Sequence, residues 1–446
     1  MAATAPTAQS APAGPEVAHP PHTWQVVTGA VRAAFAGTPG RLRLAGIVTV
    51  VAGLVFGLFA FVAASTRAGA LSNARADSAQ LVRIQTIRTS LVSADANLTN
   101  AFLVGGLEPP AARAAYQQGI AAASQTLADA SGDNTHDAVV LAKVNDVVTR
   151  YTGLVESARA NNRLGYPLGA AYLRQATDLL RTDALPPLGD LGTSVQHRVD
   201  NAYSSSANAS VWLVIGLVIA LIALIAAQVW LSGRVRRVFN LPLVIATAVV
   251  LVVGIVLAGV MAWSQSKAKS TRDGAYFATL ELATARIDAF DAKSAESLTL
   301  IARGQGQAYE ASFQNLAKNV QAILADVAAR GGAPNVRIAS NQRVIGEEFG
   351  DYLTLHKKIR TLDDGGNWDG AVNLATGSSA TDANVIFGGF DVGSGDALLA
   401  RSEQLSGALS DARAPLTPFA WVALLAGIAA AVGAGVGIST RLREYR

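Results

Sequence analysis

No cysteine occurs in the 446 residues, and histidine appears only five times. The first absence excludes disulfides, thiol catalysis, zinc–cysteine sites and iron–sulfur clusters. The second leaves little for a histidine-built metal site. Charge is scarce too: 15% of the residues are Asp, Glu, Lys or Arg, against about 25% in an ordinary soluble protein. The balance is +4, near neutral for this length, so the basic pI does not point to nucleic acid as a partner. Catalytic motifs are missing as well. The sequence holds no P-loop, no Gly-rich dinucleotide turn, no HExxH and no nucleophile elbow. No cofactor and no metal are expected, and the chain reads as a non-enzyme.

Apolar sequence is abundant, at 51% of residues. Four uncharged runs, 44–64, 211–231, 241–263 and 418–438, reach the roughly 20 residues that cross a bilayer. Trp212, Trp230, Trp263 and Trp421 stand at or near run ends, where interfacial aromatics sit. Small residues recur at four-residue spacing, as in Gly53 and Gly57, Gly254 and Ala258, and Gly427, Ala431 and Gly435. Such spacing lets membrane helices approach closely. The absence of ionisable groups inside the runs argues against an ion or proton pathway.

Arginines set the orientation. Arg32, Arg41 and Arg43 precede the first run, Arg234, Arg236 and Arg237 fill the short loop after the second, and Arg441, Arg443 and Arg446 follow the fourth. With four crossings all nine fall on one side, opposed only by Glu16 and Glu444, so that side carries +7 and the rest −3. Basic flanks mark the cytoplasmic face, which makes the protein multi-pass in the plasma membrane with both termini inside. The expected organisation is a cytoplasmic, largely disordered leader (1–43) that includes an interfacial helix or loose segment at 24–40, then span 44–64. An extracytoplasmic segment (65–210) and span 211–231 follow. An Arg-rich cytoplasmic loop (232–240) leads to span 241–263, a second extracytoplasmic segment (264–417), span 418–438 and a tail (439–446). The inner pieces are too short to bury a domain core.

The two outer segments repeat each other. At an offset of 201 the pairs Tyr151/Tyr352, Leu154/Leu355, Arg159/Arg360, Gly165/Gly366, Gly169/Gly370, Ala170/Ala371 and Leu173/Leu374 align, the mark of a tandem duplication. Ile84, Ile87, Leu91, Ala94, Leu98 and Ala101 step by three and four, as do Leu141, Val144, Val148, Tyr151, Val155 and Ala158. That is the seam of a packed helix. Breakers at Gly105-Gly106 with Pro109-Pro110, at 131–134 and at 161–167 divide the first segment into four helices. The fold class is therefore an all-α membrane protein with four transmembrane helices and two tandem extracytoplasmic antiparallel four-helix bundles. In the second half the stretch 375–395, rich in Gly, Ser, Asp and Asn, is expected to form an irregular loop.

Candidate contact residues follow from exposure and chemistry. Arg83 and Arg88 have the forked donors that bind a carboxylate, although a solvated face is the commoner place for such arginines. The corner between the third and fourth helices carries Asn161 and Asn162 in the first segment and Asp363, Asp364 and Trp368 in the second. A helix-turn-helix corner explains its glycines; counting turns places this corner toward the membrane. The acidic pair lacks the ligand spacing of a calcium loop. On the inner face Arg234, Arg236, Arg237, Arg441 and Arg443 fix topology and meet anionic lipid.

A span–bundle–span unit resembles the ligand-binding part of bacterial chemoreceptors and sensor kinases, without their output domains. The doubled unit, with Ala160-Asn161-Asn162-Arg163, Gly169-Ala170-Ala171-Tyr172-Leu173-Arg174 and Trp368-Asp369-Gly370-Ala371-Val372, resembles the GlnX family of four-span actinobacterial membrane proteins. The resemblance implies a GlnH-like solute-binding lipoprotein outside that senses an acidic amino acid, and a soluble protein kinase G-like Ser/Thr kinase inside. No catalytic residue is implied. Membrane lipids and a homodimeric copy complete the expected partners. The alternative is an envelope assembly protein whose bundles serve as docking surface.

Overall fold

Residues spaced by three and four along the chain end up on one face of a helix, and that face is buried. Ile84, Ile87, Leu91, Ala94 and Leu98 are fully enclosed, as are Val144, Tyr151, Val155 and Ala158. The computed structural model describes residues 37–104, 108–132, 135–164, 168–235, 240–330 and 336–443. Among them every regular element is helical. In chain order these are α1 (Gly37–Leu103), α2 (Pro110–Ser131), α3 (Thr135–Arg163), α4 (Leu168–Leu179), α5 (Leu185–Asn208), α6 (Ser210–Val235) and α7 (Leu241–Thr271). The second half continues with α8 (Phe277–Ile301), α9 (Gln307–Arg330), α10 (Val336–Asp364), α11 (Trp368–Thr376), α12 (Ala383–Arg413) and α13 (Leu416–Arg443). The leader through residue 36, Gly105-Gly106 and the Gly165 to Pro167 turn lie outside the described residues.

Four helical runs, Gly40–Leu103, Leu168–Gly233, Leu241–Ile301 and Ala383–Thr440, are long and apolar enough to cross a membrane. Two of them contain a π-turn, at Leu180–Ala184 between α4 and α5 and at Arg272–Tyr276 between α7 and α8. The first has a cause in the sequence. Pro186 and Pro187 lack amide hydrogens for the carbonyls one turn back, and their rings crowd those carbonyls. Widening the preceding turn relieves the crowding without ending the helix.

The chain divides into two compact units. Of the described residues, one takes in those within 37–58, 215–253 and 424–443, and the other those within 59–214 and 254–423. In the first unit α1 and α13 meet through the small residues: a Cβ added at Gly53 would lie 2.8 Å from the Ala431 amide nitrogen, and one at Gly427 would lie 2.5 Å from Gly57 Cα. Gln228 of α6 donates to Thr247 Oγ1 of α7 at 2.6 Å and to Leu243 O at 3.1 Å. Leu44, Val51, Val214, Ile222, Val252, Ile255, Leu425 and Val432 keep exposed apolar side chains, the surface that a bilayer covers.

In the second unit the C-terminal part of α1 packs with α2, α3 and the α4–α5 run. Gly119 of α2 crosses α1 so closely that a Cβ there would sit 3.0 Å from Ala94 Cβ. Gln80 of α1 donates to Ala130 O at 2.9 Å and to Asp137 at 3.2 Å. The equivalent bundle of the second half is α8, α9, α10 and the α11–α12 pair, around Phe313, Phe349, Tyr352, Phe387 and Phe390. The same core takes in Val92, Ala96 and Leu103 of α1. The two bundles thus share apolar surface within a single unit.

Two expectations are corrected. The stretch 375–395 is not an irregular loop: α11 ends at Thr376, α12 begins at Ala383, and only the six residues between them are non-helical. The Asp382 carboxylate closes that connection by accepting from the Ser379 amide at 2.7 Å. The glycines that follow are close-approach positions inside a helix. A Cβ at Gly389 would meet Glu348 Oε1 at 2.9 Å, and one at Gly395 would meet Arg286 at 3.3 Å. The corner after the third helix is also not at the end of the bundle where the apolar runs join. The third helix runs in the same direction as the first, so its last turn returns to the tip, where Arg159 pairs with Glu108 at 2.9 Å.

Candidate functional site

At each tip an arginine near the end of the third helix ties that corner to the start of the second helix. In the first bundle Arg159 pairs with Glu108 at 2.9 Å and Glu156 at 2.6 Å, and lies over the Tyr116 ring at 4.4 Å. In the second, Arg360 lies 3.6 Å from Glu310 and binds Asp363 and Asp364 of its own last turn. Gly366 then takes φ +81°, a left-handed conformation that costs a side chain more than glycine. Asn367 caps α11 by accepting from the Gly370 amide at 3.0 Å. Trp368 closes the tip: its Nε1 donates to Leu300 O at 2.9 Å and Arg303 stacks on its ring at 4.1 Å.

Between the bundles runs a line of charge. Asp95, buried inside the first bundle, accepts from Thr177 at 2.8 Å and from Tyr151 at 3.2 Å. Burial pushes its carboxyl up, and Arg181 acts against that push. Arg181, in the π-turn, reaches Asp291 of α8 at 3.1 Å and Ser294 at 3.3 Å. Burial likewise raises Asp291, opposed by Arg181 and Arg88. Burial pulls Arg88 down while Asp291 and Asp288 hold it up, and its Nε has no hydrogen-bond partner. Asp288 is raised by burial and held by Asn319.

A second cluster lies inside the α8–α12 bundle. His356 Nδ1 is 2.8 Å from Glu296 and its Nε2 is 3.2 Å from Glu310. A ring with a carboxylate on each nitrogen is an imidazolium, since both nitrogens must donate. Burial alone would lower His356, but its bonds to Glu296 and Glu310 raise it. Burial works upward on Glu296, yet Lys293 and His356 bring it down to about 2. Lys293 binds Glu296 at 2.8 Å and Ala375 O at 3.2 Å. The Phe313 ring stacks on His356 at 3.4 Å between centroids.

The residues singled out from sequence are therefore distributed. Arg83 binds Gln80 at 3.3 Å on α1, while Arg88 joins the seam, where the carboxylates it faces are the protein's own. Asn161 donates to Ser157 O at 2.8 Å, and the Asn162 backbone packs where a Cβ on Gly169 would lie 2.9 Å from its nitrogen. Asp363, Asp364 and Trp368 share one tip. Arg234 falls in the last turn of α6 and Arg441 and Arg443 in the last turns of α13. Arg236 and Arg237 lie outside the described residues. Among the described residues no cluster of three or more metal-ligating side chains forms. Asp95, Arg181, Asp288, Asp291, Lys293, Glu296 and His356 belong to no motif in the sequence. One signal was there: Asp95 stands four residues after Leu91 and three before Leu98, an acid on the apolar stripe.

Four long apolar helical runs, with packed helices between them, define the chain as an all-helical, multi-pass membrane protein. Residues 70–204, the first bundle from α1 through α5, match the family described as an actinobacterial sensor domain. The match supports a sensor role and a place in signalling for this multi-pass membrane protein. Neither the search of curated proteins nor that of solved structures returned a match.

Proposed function

We propose that the chain is a non-enzymatic transmembrane relay in the plasma membrane, with both termini cytoplasmic. It couples a GlnH-like, amino-acid-sensing lipoprotein outside to a protein kinase G-like Ser/Thr kinase inside, in the manner of the GlnX family. The observation that carries this reading is near-continuity of helix: each of the four runs holds both bundle sequence and an apolar window, two of them without a break and two with a turn of one or two residues, at Ala209 and at 414–415. A partner that favours one packing of the bundles shifts its population, by no more than its differential affinity. A shift or rotation of such a run then reaches the opposite face. The charged seam joins α1 and the π-turn to α8 through Arg88, Arg181 and Asp291, and is the element whose packing a partner would shift.

The halves read as a duplicated chemoreceptor-like module. In support, Arg159–Glu108 and Arg360–Glu310 recur at the two tips, and Tyr151 and Tyr352 are both fully buried. The partner surface is assigned to the tips, around Asn161 and Asn162 or around Asp363, Asp364 and Trp368. Affinity capture from solubilised membranes, with and without an acidic amino acid in the medium, tests this reading. Recovery of a solute-binding lipoprotein and a Ser/Thr kinase that depends on the amino acid is the expected result. Recovery of cell-wall assembly proteins, unaffected by the amino acid, would favour an envelope scaffold instead.

A further inference from the structure

Arg67 is fully buried just past the 44–64 apolar run, and no carboxylate pairs with it among the described residues. Its Nε donates to Ser264 Oγ and its Nη1 to Ser210 Oγ, both at 3.2 Å. Hydroxyls satisfy donors but neutralise nothing. A guanidinium taken from water without a counter-charge is strongly destabilising, and burial pulls this one down to about 10.

Beside Arg67 opens a cavity of about 230 Å³, lined also by Tyr203, Ser206, Gln265, Lys269 and Arg272. One acid, Asp273, shares the lining, and Arg272 is turned to Asp200 at 2.7 Å. Two hydroxyls of the wall, Tyr203 Oη and Ser206 Oγ, are buried without a hydrogen-bond partner. The cavity therefore lies against a buried cation without an anion and two buried hydroxyls without a partner. A phosphate group, with several oxygens and a negative charge, meets both needs. The wall residues also stand within a few positions of three apolar runs: Arg67 after 44–64, Ser206 before 211–231, and Lys269 after 241–263. Chain so close to the end of a span lies among lipid headgroups.

We propose that the cavity at Arg67, Tyr203, Ser206 and Lys269 binds a phosphate group, that of an anionic phospholipid in the leaflet on the bundle side. A zwitterionic headgroup shares the phosphate but adds a cation that Lys269 and Arg272 repel. A free phosphate ion shares the chemistry, and the test separates the sources.

The test uses the full-length protein in nanodiscs of phosphatidylcholine alone, of phosphatidylcholine with phosphatidylglycerol, and of phosphatidylcholine with inorganic phosphate in the buffer. The readouts are the melting temperature and the phosphatidylglycerol retained after re-purification in detergent. Phosphatidylglycerol is expected to raise melting by several degrees and to be retained. Lys269→Gln and the Tyr203→Phe/Ser206→Ala double variant, which keep Arg67 in place, are expected to lose most of both effects. Equal stabilisation of wild type and variants would reflect general surface charge and overturn the proposal. Stabilisation by inorganic phosphate without lipid retention would keep the phosphate site and overturn its lipid assignment. Arg67→Gln melting higher than wild type in phosphatidylcholine and losing the lipid response would support the site, because the substitution removes an uncompensated charge.

Discussion

Arg181 in the π-turn of the first bundle meets Asp291 on the first helix of the second bundle at 3.1 Å. The same guanidinium acts on Asp95, 86 positions earlier in the chain, which is buried among Thr177 and Tyr151. One cation thus serves an acid in each bundle, and this ties the packing of the two together.

Arg181→Met leaves both acids without that cation. Arg181 keeps a third of its side chain exposed, so the cost falls between the roughly 0–1 kcal/mol of surface pairs and the roughly 3–5 kcal/mol of buried ones; about 2 kcal/mol is expected. Asp291→Asn removes one of the stranded acids. The Arg181→Met/Asp291→Asn variant should therefore be more stable than the sum of the single losses implies. Equilibrium unfolding of the four proteins in detergent checks this, and strictly additive losses would mean that the pair is uncoupled.

The His356 cluster gives a pH dependence with a definite sign. The folded value is raised above the ordinary 6.5, so folding is favoured by the bound proton. Its contribution is fully present below about 6.5 and disappears as pH climbs through the raised value. Glu296, ordinarily near 4.5 and held near 2, contributes above 4.5 and loses its share only as pH falls toward 2. Wild-type melting should consequently decline on the alkaline side of neutrality. His356→Gln should melt lower than wild type at pH 6 and show a flatter alkaline limb. A wild-type curve that rises through this range would contradict the assigned imidazolium.

The small residues in the spans predict a matched pair of substitutions. At Gly427 a methyl group would run into the backbone at Gly57, and at Gly53 into the backbone at Ala431. Backbone cannot turn aside as a side chain does. Gly427→Ala and Gly53→Ala should each cost about 1–3 kcal/mol, the range for overpacking. Gly259 has nothing within 4 Å of the same position, so Gly259→Ala should be neutral or slightly stabilising. Thermal melts in one detergent settle the ranking.

The helical seams were legible because their spacing is a property of one helix at a time. Ile84 to Ala101 and Leu141 to Ala158 are buried as their periodicity requires. The charged seam was not legible. Arg181 and Asp291 lie 110 positions apart, and a periodicity tells which face is buried without telling what lies against it. The stretch after Ala375 misled by composition: its glycines admit the Glu348 and Arg286 side chains against a continuous helix. The tip corner was misplaced by one reversal of helix direction, which the Arg159–Glu108 pair corrects. Arg67 carried no signal in the sequence, since nothing there shows that Ser210 and Ser264, 143 and 197 positions away, close on its guanidinium.

The relay itself is tested most directly at the inner face. The protein contains no cysteine, so pairs can be introduced without a background, for example at Gly233 and Thr440, near the ends of the second and fourth runs. Their cross-linking by a short bis-maleimide would be followed in intact cells starved of, or supplied with, an acidic amino acid, with the Trp368→Ala tip variant beside the wild type. The relay predicts a cross-linking yield that changes several-fold with the amino acid in the wild type and stays fixed in the tip variant. A yield that is the same in both conditions for every pair tried would contradict it.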